Sequence, residues 1–295
     1  MDYPQLARVG GVHRAMSSLN LVSPAKLNLF LHITGRRDDG YHLLQTVFQL
    51  LDYGDDMEFQ RTDNGQISLS PEFEGIKAED NLIVRAARLL QATTGCPLGA
   101  HIHIHKRLPV GGGIGGGSSN AASTLLALNT LWDTGLTISA LCELGLQLGA
   151  DVPVFVTGRT AWAEGVGENL QALDLESYWY VVIHPGCSVS TREIFSHEQL
   201  TRNTSPIKIA AFLGQGAGND CENVVKSLYP EVKNALDWLN QFAPAQLTGT
   251  GSCLFARFTD EASAQDVFSK RPATYSGFVA RGVNHSPSHT ALNLN

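Results

Sequence analysis

Between Leu108 and Asn120 the chain reads Leu-Pro-Val-Gly-Gly-Gly-Ile-Gly-Gly-Gly-Ser-Ser-Asn, with six glycines in the seven positions from Gly111 to Gly117. Glycine loses more backbone freedom on folding than any other residue, so a simple turn does not call for this density. What glycine permits is the convergence of backbone N–H groups with no Cβ in the way. His101 to His105 alternates apolar and polar residues just before the run and reads as a strand. A helical run follows, starting at Ser118 or Ser119 and reaching Trp132. A helix start adds free N–H groups and the positive end of its dipole. Strand, glycine loop and helix start together make a cradle for phosphate. The plainer alternative is a flexible loop whose serines cap the helix.

The run is not a Walker A loop, because no lysine follows the glycines. It matches G-x-G-x-x-G, as a glycine-rich stretch does almost by default. A dinucleotide fold needs a second strand ending in an acid about 20 residues on. Asp133 stands near that spacing, but Thr130 to Thr137 has no strand pattern.

Composition narrows the class. With 43% hydrophobic and 17% charged residues the chain is a folded globular one. No uncharged apolar run reaches the roughly 18 residues of a membrane span, so no membrane partner is expected. The net charge is −7, and the basic residues form only short pairs such as Arg36-Arg37 and Lys106-Arg107. That argues against general nucleic-acid binding. Five widely spaced cysteines without a CxxC suit free thiols in a reducing cytosol, so a cytoplasmic protein without a zinc site is expected. Residues 1–16 lack a signal-peptide layout and read as a disordered leader, or as an upstream start with Met16 the natural one.

Along the chain, Lys26 to Ile33 predicts a strand with Lys26 and Asn28 on one face. Arg36 to Gly40 is a polar turn, and Tyr41 to Tyr53 a second strand. Asp80-Asn81 starts a helix that Gly95 stops, and Ser139 to Leu148 forms another, closed by Gly149. Trp179 to His184 and Gly277 to Val283 read as strands, with Glu261 to Lys270 a helix. The elements mix without a regular βαβ repeat, which favours an α+β fold over a doubly wound sheet. Gly165 to Gln171 is a candidate domain boundary.

Four other features carry possible chemistry. Lys26 is a cation within an apolar strand, either snorkelling at an edge or lining a cleft with Asn28. Asp151, between Gly149-Ala150 and Val152-Pro153, has the pattern of a helix N-cap, yet a capping carboxylate can also face a ligand and accept a proton. His101, His103 and His105 share a strand face about 6.6 to 6.8 Å apart. With no acidic or cysteine partner nearby in sequence, a solvated face is the default over a metal site. Leu247-Thr248-Gly249-Thr250-Gly251-Ser252-Cys253 is a second glycine-and-hydroxyl loop, either a tight turn or ligand-facing. Cys253 in it is a reactive thiol only if its pKa is low.

Three segments taken together, Pro24-Ala25-Lys26-Leu27-Asn28-Leu29, the loop Leu108 to Ser119 and Leu247 to Cys253, resemble the GHMP small-molecule kinases. The likeness runs from about Ser23 to about Pro287. Gly40-Tyr41-His42 and the stretch Leu148 to Phe155 narrow it to the branch that acts on cytidine-diphosphate sugar alcohols. The Lys-x-Asn and Gly-Tyr-His combination is specific, while the two glycine loops are shared more widely. That family usually starts only a few residues before Ser-Pro-Ala-Lys, so the leader here is a departure.

The resemblance implies an α+β, two-domain GHMP kinase fold, with an N-terminal ATP-binding domain over residues 17–165, a ferredoxin-like C-terminal domain over 166–295, and the active site between them. The implied activity is transfer of phosphate from ATP, with Mg²⁺, to the substrate's 2-hydroxyl. Asp151 takes the position of the catalytic base and Lys26 that of the cation beside it. Asn28 lines the sugar-alcohol end of the substrate, Tyr41 and Phe195 sandwich the cytosine, and His42 hydrogen-bonds it. Pro109, Val110, Gly111, Gly112, Gly113, Ile114, Gly115, Gly116, Gly117, Ser118 and Ser119 hold the ATP. Mg²⁺ is expected without an assigned protein ligand, and the chain is expected to be a monomer or homodimer. Phosphoryl transfer suits this set, because it depends on positioning and charge neutralisation more than on covalent catalysis. A sibling kinase of another small alcohol, such as homoserine or mevalonate, is the nearest competing expectation. A nucleotide sensor without turnover would need neither Lys26 nor Asp151.

Overall fold

Two long strands, β1 (Ser18–Arg36) and β2 (His42–Thr62), form an antiparallel hairpin at the start of a computed structural model that describes residues 16–73 and 75–294. The expected leader, apart from Met16, lies outside the described residues. Both strands are rich in Leu, Phe, Val, Ile and Thr, the residues that suit a buried pleated surface. Their turn closes where the Arg37 amide donates to the Tyr41 carbonyl at 2.7 Å, and Gly40 supplies the φ of 90°. The expected alternation of faces fails along β1: Leu27, Asn28, Phe30 and Leu31 are all buried. The strand runs through the middle of the molecule and is covered on both sides.

The chain continues through β3 (Ile67–Ser70), α1 (Leu82–Thr94), β4 (Gly99–His105), α2 (Gly116–Leu131), α3 (Ile138–Leu148), α4 (Val152–Thr157), β5 (Ala161–Glu164) and β6 (Asn169–Ala172). Asn81 caps α1 by accepting from the Ile83 amide at 2.9 Å, and Gly95 ends it in the left-handed region at φ 65°. Thr137 caps α3 in the same way. The glycine-run helix starts earlier than expected: α2 begins at Gly116, so both serines lie within its first turn. Gly115, with φ 76°, makes the entry that a Cβ would oppose. Helices α1 to α4 pack on one side of β2 and β4 through Ile83, Leu90, Leu125, Leu128, Val152 and Phe155.

Then come β7 (Trp179–His184), α5 (Thr191–Ser196), α6 (Ile209–Gln215), α7 (Glu222–Leu228), α8 (Pro230–Leu239), β8 (Ala245–Leu247), β9 (Leu254–Phe258), α9 (Glu261–Ser269), β10 (Ser276–Val283) and α10 (Pro287–Leu292). The strands lie in the order β10-β7-β9-β8, all antiparallel. Counted from β7 this is 4-1-3-2 with helices between, a ferredoxin-like arrangement. Helices α7, α8 and α9 cover one face.

The two sheets join through β10, whose Gly282 and Val283 pair with Leu51 and Leu50 of β2. Where they meet, a third cluster forms from Ala25 and Leu27 of β1, Tyr180, Val182, Phe255 and Phe278 of the C-terminal sheet, and Ile114 and Cys253 from the two glycine loops. The loops are thus pinned at the junction. The expected boundary at 165/166 falls in the turn between β5 and β6, two strands that pair with each other in the first sheet. No helix among the described residues is long and apolar enough to cross a membrane.

Candidate active site

Lys26 sits on β1 with its side chain 4% exposed. A charge that deep requires partners, and its three ammonium N–H groups have three. Nζ donates to Asn28 Oδ1 at 2.6 Å and to the Gly113 carbonyl at 3.0 Å, and it lies 3.3 Å from Asp151 Oδ2. Asn28 is held in turn: its Nδ2 donates to Thr46 Oγ1 at 3.0 Å and its backbone amide donates to Thr248 Oγ1 at 2.9 Å. The shared strand face of Lys26 and Asn28 is therefore a wall of the site, not a snorkelling edge.

Asp151 occupies the position before α4 but does not cap it, since its side chain accepts from no helix amide. Its carboxylate turns to Lys26 instead and is part-exposed to the cavity beside it.

The glycine loop is shaped by close backbone approach. A Cβ on Gly113 would meet the Thr248 carbonyl oxygen at 2.5 Å and the Gly251 carbonyl oxygen at 2.8 Å. One on Gly115 would meet the Phe155 ring at 2.7 Å. The second loop therefore backs the first, an arrangement tied by the Cys253 amide donating to the Gly112 carbonyl at 3.0 Å. Gly249 and Thr250 of that loop reach the cavity, while Cys253 does not. Burial pushes the Cys253 thiol well above its ordinary range, so it is no reactive thiolate. Ile114 turns inward, 1% exposed, and its carbonyl accepts from the Lys26 amide at 3.0 Å.

Two cavities flank this loop. One, of 350 Å³, is lined by Phe73, Ile76, Lys106 and the stretch Pro109 to Ser118. The amides of Gly116, Gly117 and Ser118 have no protein acceptor among the described residues, as expected of a helix N-terminus. The other, of 790 Å³, holds Lys26, Asn28, Tyr41, His42, Asp151 and Phe195. Gly113 and Gly115 line both. Ser119 lies behind the cavity wall: it is fully buried, its hydroxyl pairs with Ser23 Oγ at 2.8 Å, and its amide donates to the Gly115 carbonyl. It supports the loop from behind.

Tyr41 stands at the rim of the larger cavity, 63% exposed. His42 and Phe195 stack on each other there, ring centroids 4.9 Å apart at 28°. Burial, aided by Arg202 and Arg36, lowers the His42 pKa below its ordinary value and favours the neutral ring. His101 and His103 pair with Ser68 and Ser70 on an exposed sheet face. Among the described residues no group of three His, Cys, Asp or Glu is placed to hold a metal ion.

Sequence reasoning missed the residues that brace the site. Asp55 is completely buried and accepts from the Arg107 amide at 2.8 Å, the Leu108 amide at 2.9 Å, Asn120 Nδ2 at 2.9 Å and Lys106 Nζ at 2.5 Å. It fixes the stretch leading into the glycines. Thr191 and Thr250 pair at 2.9 Å in the wall of the larger cavity. Arg202 bonds His42 and three carbonyls. Asp55, Thr191 and Arg202 carry no local motif, whereas Thr250 belongs to the second glycine loop.

Comparison with known proteins bears on this arrangement. Residues 81–159 match the GHMP kinases N terminal domain and residues 198–277 the GHMP kinases C terminal domain. A Mannheimia succiniciproducens protein named 4-diphosphocytidyl-2-C-methyl-D-erythritol kinase is 56% identical over 93% of this chain and 91% of its own. One of the same name from Marinobacter nauticus is 56% identical over 94% and 98%. A crystal structure of 4-(cytidine 5'-diphospho)-2C-methyl-D-erythritol kinase superposes with a TM-score of 0.79 at 31% identity, over 90% of this chain and all of that one. On these grounds the chain belongs to the GHMP kinases, ATP-dependent phosphotransferases, and among them to the 4-diphosphocytidyl-2-C-methyl-D-erythritol kinase family.

Proposed function

We propose that the protein phosphorylates the 2-hydroxyl of 4-diphosphocytidyl-2-C-methyl-D-erythritol with ATP and Mg²⁺, a step of the non-mevalonate route to isoprenoid precursors. The observation that carries this reading is the pair Lys26 and Asp151, 3.3 Å apart, set against a glycine loop whose Gly113 and Gly115 wall two cavities at once. ATP occupies the smaller cavity, with its phosphates on the loop and the free amides of Gly116, Gly117 and Ser118. The substrate occupies the larger, its hydroxyl presented to Asp151. Asp151 accepts the hydroxyl proton as the oxygen attacks the γ-phosphorus, the bond from that phosphorus to the β,γ-bridging oxygen breaks to release ADP, and the Lys26 ammonium neutralises charge gathering beside Asp151. Asn28 holds Lys26 and lines the methylerythritol end. Tyr41 and Phe195 supply stacking faces for the cytosine, and His42 its hydrogen bond.

Mg²⁺ supplies charge neutralisation on the triphosphate. When bound it would call on only one or two protein oxygens. Ser118 and Asp80 line the smaller cavity and fit that sparse donor set.

The β5–β6 pairing favours dividing the chain after Ala172, with α10 returning to the first unit, where His289 meets the Val156 carbonyl at 2.8 Å. Five free cysteines suit a cytoplasmic setting, and the protein works there as a monomer or homodimer on a small molecule, without nucleic acid or membrane.

A coupled assay with ATP, Mg²⁺ and the cytidine substrate tests the reading. Turnover with that substrate, and none with homoserine or mevalonate, supports it. Preference for either of those alcohols overturns the substrate while sparing the chemistry.

A further inference from the structure

A third cavity, of 860 Å³, lies apart from the glycine loops, and Leu29, Tyr178, Tyr180, Phe212, Phe255 and Arg257 line it. In β7 and β9, Val181, Ile183, Leu254 and Ala256 belong to the core that α7, α8 and α9 cover. Side chains alternate along a strand, so Tyr180, Phe255 and Arg257 share the opposite face. Tyr180 and Arg257 are direct cross-strand partners, which sets their side chains next to each other. The Arg257 guanidinium lies over the Tyr178 ring, 4.4 Å from its centre. It is exposed, and among the described residues it pairs with no carboxylate and donates no hydrogen bond. Tyr180 is only 1% exposed, yet its hydroxyl has no hydrogen-bond partner among the described residues. Burial raises its pKa, so it keeps its proton and stands as a donor. Glu176, the acid in the cavity wall, accepts from the Tyr178 hydroxyl at 2.6 Å. Gln246 Nε2 donates to the Ala217 carbonyl at 2.7 Å and ties down the lip from Gly214 to Gly218. Leu29 belongs to β1, and its neighbour Asn28 lines the substrate cavity, so one strand divides the two spaces.

We propose that this cavity is a second binding site, for a small aromatic carboxylate. A guanidinium fork matches a carboxylate with two parallel hydrogen bonds. Tyr180, from the neighbouring strand, offers a third donor beside it. A buried hydroxyl is ordinarily paired, so one left free in a cavity wall marks a place for a ligand acceptor. Tyr178, Phe212 and Phe255 give flat apolar walls for a ring, which an inorganic anion would leave unused. A cationic ligand would face Arg257, with Glu176 already engaged by Tyr178. Neither Lys26, Asp151 nor the glycine run lines this cavity, so the site is separate from the phosphoryl-transfer groups and does not depend on which alcohol they serve.

The test is isothermal titration of the full chain with 2-naphthoate, and with 2-naphthamide as its uncharged counterpart. A ligand of this size in a matched site should bind with a Kd of about 1 mM or tighter. Arg257→Ala should weaken 2-naphthoate by about tenfold or more, the scale of a lost charge-assisted hydrogen bond, and leave 2-naphthamide as it was. Tyr180→Phe keeps the ring and deletes the free hydroxyl, and should weaken 2-naphthoate by about threefold or more. Arg257 is exposed and the Tyr180 hydroxyl is unpaired, so both variants should fold. Arg192→Ala, which removes an exposed cation from the substrate cavity, should bind 2-naphthoate as wild type does. Binding weaker than about 1 mM, or smaller losses in either of the first two variants, would overturn the proposal. So would a loss in Arg192→Ala, which would put the acid in the substrate cavity instead.

Discussion

Gly113→Ala should cripple the loop that separates the two cavities. Gly113 holds φ 73°, in the left-handed region, where an L side chain costs about 1–2 kcal/mol. Its new Cβ would also lie 2.5 Å from the Thr248 carbonyl oxygen and 2.8 Å from that of Gly251. Both are backbone atoms and cannot swing aside, so overpacking adds about 1–3 kcal/mol. The sum is about 2–5 kcal/mol, shared between lost stability and a displaced loop. Because the Gly113 carbonyl also accepts from Lys26 Nζ, displacement should lower kcat as well as raise the KM for ATP. Gly117→Ala is the control. Its Cβ would sit 3.5 Å from the tip of Leu82, an ordinary contact, and φ there is not positive. Inside α2 it should leave stability unchanged or raise it by about 0.4–1 kcal/mol. Urea denaturation and ATP titration of both variants would check this. A Gly113→Ala protein within about 0.5 kcal/mol of wild type, with normal ATP affinity, would show that close packing does not require glycine there.

Asp55→Ala strips the acceptor from two backbone amides and Lys106, and should cost about 2–5 kcal/mol in denaturation while raising the KM for ATP. An unchanged midpoint would remove Asp55 as the loop's brace. Tyr41→Ala removes one stacking face worth about 1–3 kcal/mol, so the KM for the cytidine substrate should rise about 5- to 150-fold with the KM for ATP constant. An unchanged KM would favour a sibling kinase of another alcohol. Burial lowers the pKa values of His42, His184 and His289 from 6.5. The unfolded chain therefore takes up protons that the folded one resists, and stability should fall as pH drops below about 6.5. Urea midpoints equal at about pH 7.5 and about pH 5.5 would contradict that.

Much of the fold could be read from local pattern. Asn81 and Gly95 bracket α1 through capping chemistry that acts within a few residues, and the alternation of His101 to His105 marks β4. Lys26, Asn28 and Asp151 could be picked out because each is polar where its neighbours are apolar. Longer-range causes were hidden. The reason for glycine at Gly113 is the backbone of Thr248 to Gly251, distant in sequence, so the run reads as an anion loop without revealing that half of its shape is packing. Ser119 looks like a ligand group because its buried partner, Ser23, lies far upstream. Arg202 carries no motif at all, since its partner is a histidine at the start of β2, distant in sequence. The candidate boundary from Gly165 to Gln171 includes the hairpin turn between β5 and β6, a pairing with no local signal.

In the proposed reaction Asp151 takes the proton from the substrate hydroxyl beside Lys26. The most direct measurement is the turnover of Asp151→Asn, which keeps the side chain's shape and removes its basicity, read alongside its ATP affinity. In that variant kcat should fall by about 10²- to 10⁴-fold while ATP binds as in wild type. Near-normal turnover in that variant, with the cytidine substrate saturating, would contradict it.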